Sequence, residues 1–282
     1  MSLPLVNETH SDAATLRIAL DRFYQNSPTY EAFVAPSDQS NCWRWVAQKI
    51  AAVIARKGSC RVLELGCGRT GFRQFCHPPQ MHFAVQDVTP LNTDYLHAHA
   101  EEVFVGDLLT VRGNYDVIFS TFVFEHVTNP QAMLERCWTL LEPGGALFVF
   151  CPRYDLPFYL PPSFDHRPFA ETLRARLYVL TARARTWLGG RPAFLIMTDP
   201  AVFHHAWARD RDAIHLVSLF DLFAFARGKG RVVRFPIPSG SVKDWVVKNL
   251  LQVNVAIEKP ALHPPQRSPE TQPTSASASP RA

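Results

Sequence analysis

Between residues 13 and 24 the chain carries Leu16, Ile18, Leu20 and Phe23 among polar neighbours. Between 43 and 55 it carries Trp43, Val46, Ile50 and Val53 at steps of three and four. Such patterns gather apolar side chains on one helical face, so two helices are predicted. Gly58 follows the second, where a C-cap glycine belongs. From residue 60 onward the pattern shortens. Mostly apolar runs cover residues 61–65, 81–88, 102–105, 115–120 and 146–151, and segments of helical size separate most of them. Two further runs, 232–235 and 253–257, bring the expected strands to seven. Strands that alternate with helices form a mostly parallel sheet covered on both faces, a doubly wound α/β architecture.

The fifth expected strand is followed by a long connection, residues 153–211, and connections of that length usually carry function. Its first part, 154–162, is aromatic and proline-rich. Further on, Leu173, Leu177, Leu180, Ala184, Trp187 and Leu188 mark one helical face, and Arg174, Arg176, Arg183 and Arg185 fall largely off it. Three readings are open: a cap packed on the core with solvated arginines, a peripheral membrane or lipid-linked acceptor contact, or a homodimer contact. Residues 260–282 are rich in Pro, Ser, Thr and Ala and too poor in large apolar side chains to offset the entropy of ordering. The expected organisation is therefore cap helices over 1–58, a central domain over 59–259 with an insert over 153–211, and a disordered tail over 260–282.

Composition changes this picture little. A chain of 282 residues with 47% hydrophobic residues suits one α/β domain with additions. The formal net charge of +4 permits an anionic substrate without calling for nucleic acid, and none is expected. The first ten residues lack the basic and apolar regions of a signal peptide, and no apolar run reaches the ~18 residues of a spanning helix. Six scattered cysteines form no CxxC pair, which reads as free thiols in a cytoplasmic setting. Asp165, His166, His204 and His205 have metal-ligand chemistry, but no spacing rule unites them and no metal site is expected.

The most informative segment is Val62-Leu63-Glu64-Leu65-Gly66-Cys67-Gly68-Arg69-Thr70-Gly71, a strand running into glycines and then a helix. Glycine lets the backbone approach a ligand and supplies positive φ in the turn. Glu64 sharpens the reading. A carboxylate there repels a dinucleotide pyrophosphate and suits a ligand carrying an ammonium and a sulfonium. Asp87 closes the second strand about 20 residues past the glycines, where an acid accepts from ribose hydroxyls. Asp107 follows the third strand, either near an adenine amino group or as a helix cap.

Glu64-Leu65-Gly66-Cys67-Gly68, Gln86-Asp87, Gly106-Asp107-Leu108, Tyr115-Asp116-Val117-Ile118, Glu125-His126-Val127 and Leu141-Glu142-Pro143-Gly144-Gly145 occur in this order. Together they resemble the class I S-adenosylmethionine-dependent methyltransferases, in particular the small-molecule enzymes related to ubiquinone-type methyltransferases. The resemblance is best over residues 60–152. It implies a Rossmann-like methyltransferase fold with an antiparallel last strand, and S-adenosyl-L-methionine as cofactor. It further implies that Glu64, Gly66, Cys67, Gly68, Asp87 and Asp107 bind that cofactor, with the loop on its methionyl part, Asp87 on ribose and Asp107 near adenine. The family usually has GxGxG, whereas here the third glycine, Gly71, comes late and leaves Arg69 and Thr70 between.

The implied reaction is methyl transfer to an oxygen, nitrogen or carbon of a small-molecule acceptor, with sugars and lipid-linked intermediates among the candidates. His126, after the fourth strand, is the candidate base. Tyr154, His166 and His205 are candidate substrate residues. The N-terminal helices, with Tyr24, Trp43 and Trp45, and the insert are expected to close over the site. Two rival readings are a non-catalytic scaffold on the same fold and an NAD-dependent oxidoreductase. Glu64 and the Glu-Pro-Gly-Gly turn stand against the second.

Overall fold

The computed structural model describes residues 5–7, 10–26, 40–165, 167–197 and 212–261. Along the chain the strands are β1 (Leu5–Asn7), β2 (Cys60–Leu65), β3 (Met81–Asp87), β4 (Glu102–Val105), β5 (Tyr115–Thr121), β6 (Leu141–Pro152), β7 (Leu195–Met197), β8 (Arg231–Arg234) and β9 (Gln252–Glu258). The helices are α1 (His10–Gln25), α2 (Ser40–Lys57), α3 (Phe72–Phe75), α4 (Thr93–His97), α5 (Pro130–Leu140), α6 (Phe169–Trp187), α7 (Leu219–Ala226) and α8 (Val242–Asn249). Seven strands form one sheet in the order β4-β3-β2-β5-β6-β9-β8, with β9 antiparallel to both neighbours. This is the expected seven-stranded, doubly wound sheet.

Alternation along each strand builds two cores. On one face, Val62, Phe83, Val117, Phe119 and Phe148 meet Trp43, Val46, Ile50 and Val53 of α2. On the other, Leu63, Ile118, Leu147 and Val255 meet Met133, Leu134 and Cys137 of α5 and Leu222 and Phe225 of α7. Successive strand residues point to opposite faces, so strands buried on both sides read as continuous apolar runs. Ser218 caps α7, its hydroxyl accepting from Phe220 N at 3.1 Å. The Glu-Pro-Gly-Gly turn belongs to β6 as an excursion: pairing jumps from Tyr115↔Leu141 to Val117↔Ala146. Gly145 is required there, because a Cβ would sit 2.8 Å from the Asp116 carbonyl oxygen.

Three features differ from the sequence reading. The N-terminal stretch is not purely helical, since β1 pairs antiparallel with β7 of the insert. Three-residue strands leave too short a pattern to read. The insert helix α6 turns the opposite way. Its buried face is Ala175, Val179, Arg183 and Thr186, and the leucine face is exposed. Arg183 is therefore not solvated. Its guanidinium pairs with Asp221 of α7 and donates to the Leu216 carbonyl at 2.7 Å. Asp221 also accepts from the backbone N–H groups of Ala193 (2.8 Å) and Phe194 (3.1 Å). Small residues let α6 approach closely, and a buried ion pair, hydrogen-bonded through both Nη atoms of Arg183, fixes which face turns inward. The expected tail from residue 262 onward lies outside the described residues.

Removing one partner of a buried pair strands the other charge. Arg183→Met should lower unfolding free energy by about 3–5 kcal/mol. Chemical denaturation followed by circular dichroism measures it, and a loss below ~1 kcal/mol would show that α6 is held by apolar contacts instead.

Candidate functional site

The chain runs outward from β2 through β3 to β4 on one side of the sheet, then returns to place β5 on the other side of β2. Loops leaving β2 and β5 therefore diverge at their carboxyl ends, and ligands of open α/β sheets bind at such a switch point. In the β2 loop, Gly66 and Gly68 have φ of +60° and +51°. A Cβ on Gly66 would also collide with the Val123 side chain from the β5 loop.

Hydrogen bonds to β3 shape the loop. Cys67 N donates to the Gln86 carbonyl at 3.0 Å, and Gly68 N donates to Asp87 Oδ2 at 2.7 Å. Asp87 Oδ1 accepts from Thr89 N at 3.0 Å. Burial raises the Asp87 carboxyl above its usual range, and these N–H donors pull it back. Asp87 thus pins the glycine loop. The Cys67 thiol is buried and pushed well up by burial, which keeps it neutral.

Glu64 is the most informative group. It is buried at the tip of β2, and its Oε2 has no hydrogen-bond partner among the described residues. Burial, with the nearby Asp87 charge adding, pushes its carboxyl up to about 8, and a hydrogen bond from Thr70 opposes this. Thr70 is one of the two residues that delay the third glycine. Its hydroxyl also accepts from Phe72 N at 3.0 Å, and Gly71 is the N-cap of α3. The longer loop therefore supplies a hydroxyl to the buried carboxylate, a role the glycine spacing did not reveal.

Asp107 caps the short turn Leu108–Thr110, accepting from Leu109 N at 2.9 Å, and pairs with Arg17 of α1. It takes the capping role and also anchors α1. Leu20, Phe23 and Tyr24 of α1 pack on Val88, just past β3, so α1 covers this edge. Trp43 lies beneath the loop, edge-on to Phe72 at 5.6 Å. Trp45 does not reach the site. Two residues on, it points about 200° around the helix and stacks on Phe235 at 4.9 Å.

The β5 loop turns at Phe122, which has φ +57° and donates its N–H to the Phe150 carbonyl at 2.7 Å. Such backbone strain in a non-glycine residue concentrates at functional sites. The turn Phe124–His126 follows. His126 is 17% exposed; its Nδ1 lies 3.4 Å from Asp212 Oδ2 and its Nε2 lies 3.8 Å from Glu125 Oε1. Tyr24 Oη donates to the same Asp212 Oδ2 at 2.7 Å. Asp212 is held nearby because the Glu125 carbonyl accepts from Ile214 N (3.0 Å) and His215 N (2.9 Å). Sequence reasoning missed Asp212, which sits 86 residues from His126 with no motif linking them. His215, with Nδ1 2.9 Å from the Phe124 carbonyl, is pushed down to about 3 by burial and stays neutral, a packing residue. Tyr154 is buried in the insert cluster, its ring 5.4 Å from that of Tyr159. His166 and His205 lie outside the described residues.

The sequence profile of the family described as "Methyltransferase domain" matches residues 21–223, well over half of the chain. The chain belongs to this family. Its sheet is that of the class I S-adenosylmethionine-dependent methyltransferase fold. It is 27% identical over 118 residues to the ubiquinone biosynthesis O-methyltransferase of Erwinia tasmaniensis, covering 37% of this chain and 45% of the relative. It is 29% identical over 119 residues to the human thiol S-methyltransferase TMT1B, covering 38% and 48%. The chain thus spans about half the length of the curated relatives it matches. The plantazolicin methyltransferase BpumL, in complex with a pentazolic desmethylPZN analog and SAH, shares the fold at TM-score 0.51 and 10% identity, over 89% of this chain and 100% of that one.

The residues present fit S-adenosylmethionine. A buried carboxylate with an unpartnered oxygen, at the mouth of a glycine turn, is a receptor for an ammonium group. The raised pKa has a stability consequence. The folded state keeps a proton that the unfolded chain releases, so the contribution of Glu64 is full below pH 4.5 and declines as pH rises towards about 8. A Glu64→Gln variant should not show this decline. Near neutral pH, S-adenosylhomocysteine should also displace about one proton from Glu64. Calorimetric titration in buffers of different ionisation enthalpy reads that proton. Equal release by Glu64→Gln would assign it to another group.

Proposed function

We propose that the protein transfers the methyl group of S-adenosylmethionine to a hydroxyl of a small organic acceptor. The observation that carries this reading is the His126 imidazole, backed by Asp212 and Tyr24, on the β5 loop that touches the glycine turn through Val123. The cofactor supplies an electrophilic methyl carbon on a sulfonium. Glu64, assisted by Thr70, would hold its ammonium group, and the Gly66–Gly68 turn would let the backbone approach it. Asp87 stands at the ribose position and Asp107 towards adenine, by likeness to the family.

A direct displacement needs alignment and a dry site. Leu20, Phe23 and Tyr24 of α1 supply the apolar cover. The Asp212 carboxylate, 3.4 Å from Nδ1 of His126, would favour the tautomer that carries its proton there and leave the Nε2 lone pair to take the acceptor's proton. Tyr24, bound to the same carboxylate oxygen, keeps Asp212 in place. A neutral hydroxyl needs such a base, whereas a neutral amine attacks with its own lone pair. The relatives named as ubiquinone biosynthesis O-methyltransferases support an oxygen acceptor. The cysteines form no disulfide among the described residues, which suits a reducing, cytoplasmic setting.

The test is transfer of radiolabelled methyl groups to a panel of phenols, sugars and amines. His126→Ala should lower kcat about 10²–10⁴-fold while S-adenosylhomocysteine affinity is unchanged, and Asp212→Asn should lower it less. Full turnover by His126→Ala would remove the base from the mechanism, and cofactor binding with no transfer to any acceptor would overturn the reading.

A further inference from the structure

The exposed face of α6 is unusual for a cap helix. Phe169, Leu173, Leu177, Leu180, Trp187 and Leu188 all stand in solvent, with Leu177 54% and Trp187 70% exposed. Their spacing draws one continuous stripe along a helix of 19 residues, about 28 Å long. Arg174, Arg176 and Arg185 flank the stripe, and Arg191 follows just beyond the helix; all four are exposed. Glu171 is the one acidic residue in α6, and it is half-buried and paired with Arg167 at 3.5 Å. The outward face therefore combines apolar and cationic groups with no acid among them. Scattered apolar residues on a surface need no explanation, but a contiguous stripe marks an interaction site.

We propose that this face docks on an anionic lipid bilayer, with the stripe in the headgroup–acyl boundary and the arginines on lipid phosphates. A helix with these two faces lies in the membrane plane. Among the described residues no helix is long and apolar enough to cross a membrane, so the contact is peripheral. Charge decides against a second copy as occupant. Two α6 helices packed along this stripe would bring arginines from both chains to one seam, with no carboxylate to meet them. An anionic headgroup layer supplies the missing counter-charge. The buried face explains why the stripe stays outside: the Arg183–Asp221 pair locks Ala175, Val179 and Thr186 inward. The proposal is independent of the acceptor and of catalysis.

Co-sedimentation with vesicles tests it. The protein should bind phosphatidylcholine vesicles containing phosphatidylglycerol at least tenfold better than pure phosphatidylcholine. Arg174→Gln and Arg176→Gln should each weaken that binding about fivefold. Leu177→Glu with Leu180→Glu should abolish it. All four positions are exposed, and unchanged S-adenosylhomocysteine binding and circular dichroism would show that the variants fold. Absence of wild-type binding to anionic vesicles, equal binding to both vesicle types, or a solution dimer dissociated by Leu177→Glu would overturn the proposal.

Discussion

Gly66 has φ +60°, and the space its Cβ would need is filled by Val123. The loop after β2 and the loop after β5 can approach only through that missing carbon. Much else depends on the contact. It fixes where the β5 loop begins, hence where Phe122 turns and where Glu125 and His126 project. Glu125 in turn recruits Ile214 and His215 through its carbonyl, and so brings Asp212 to His126. The cofactor half of the crevice and the acid–base half are thus one mechanical unit, seated on a glycine that any side chain would disrupt.

Two buried carboxylates hold the rest of the edge by different means. Asp155 accepts from Arg153 Nε at 2.5 Å and from Ser218 Oγ at 2.9 Å, and Ser218 also caps α7. Asp221 gathers Arg183, Ala193 N and Phe194 N around itself. Both satisfy their lone pairs locally, as buried charges must. Glu64 does not, and that contrast separates a residue that builds the fold from one that waits for a ligand.

The sheet was legible because its strands are covered on both faces, which leaves uninterrupted apolar runs such as Val117-Ile118-Phe119. The glycine loop, Asp87 and the Glu125-His126 turn were legible because local order along the chain carries them. The face of α6 was not. Hydrophobic periodicity favours Leu173, Leu177 and Leu180, yet tertiary contacts chose Ala175, Val179 and Arg183, where small volume and an ion pair outweigh leucine burial. Asp212 and Thr70 were missed for another reason. Each acts through a partner that only the folded chain brings near, His126 in one case and the desolvated Glu64 in the other.

The ribbon of β1 and β7 joins Leu5 to Met197, and Tyr24 reaches Asp212 across 188 positions. Contacts of such sequence separation close late, because a long loop must lose its entropy first. A ribosome releasing this chain sets out β2 to β5 and the glycine loop well before residue 212 exists. The partner of His126 therefore joins the site after α1 and the strands it covers have been made. Until then the imidazole of His126 stands unsupported, so the acid–base half of the site is completed after the half that carries Glu64 and Asp87.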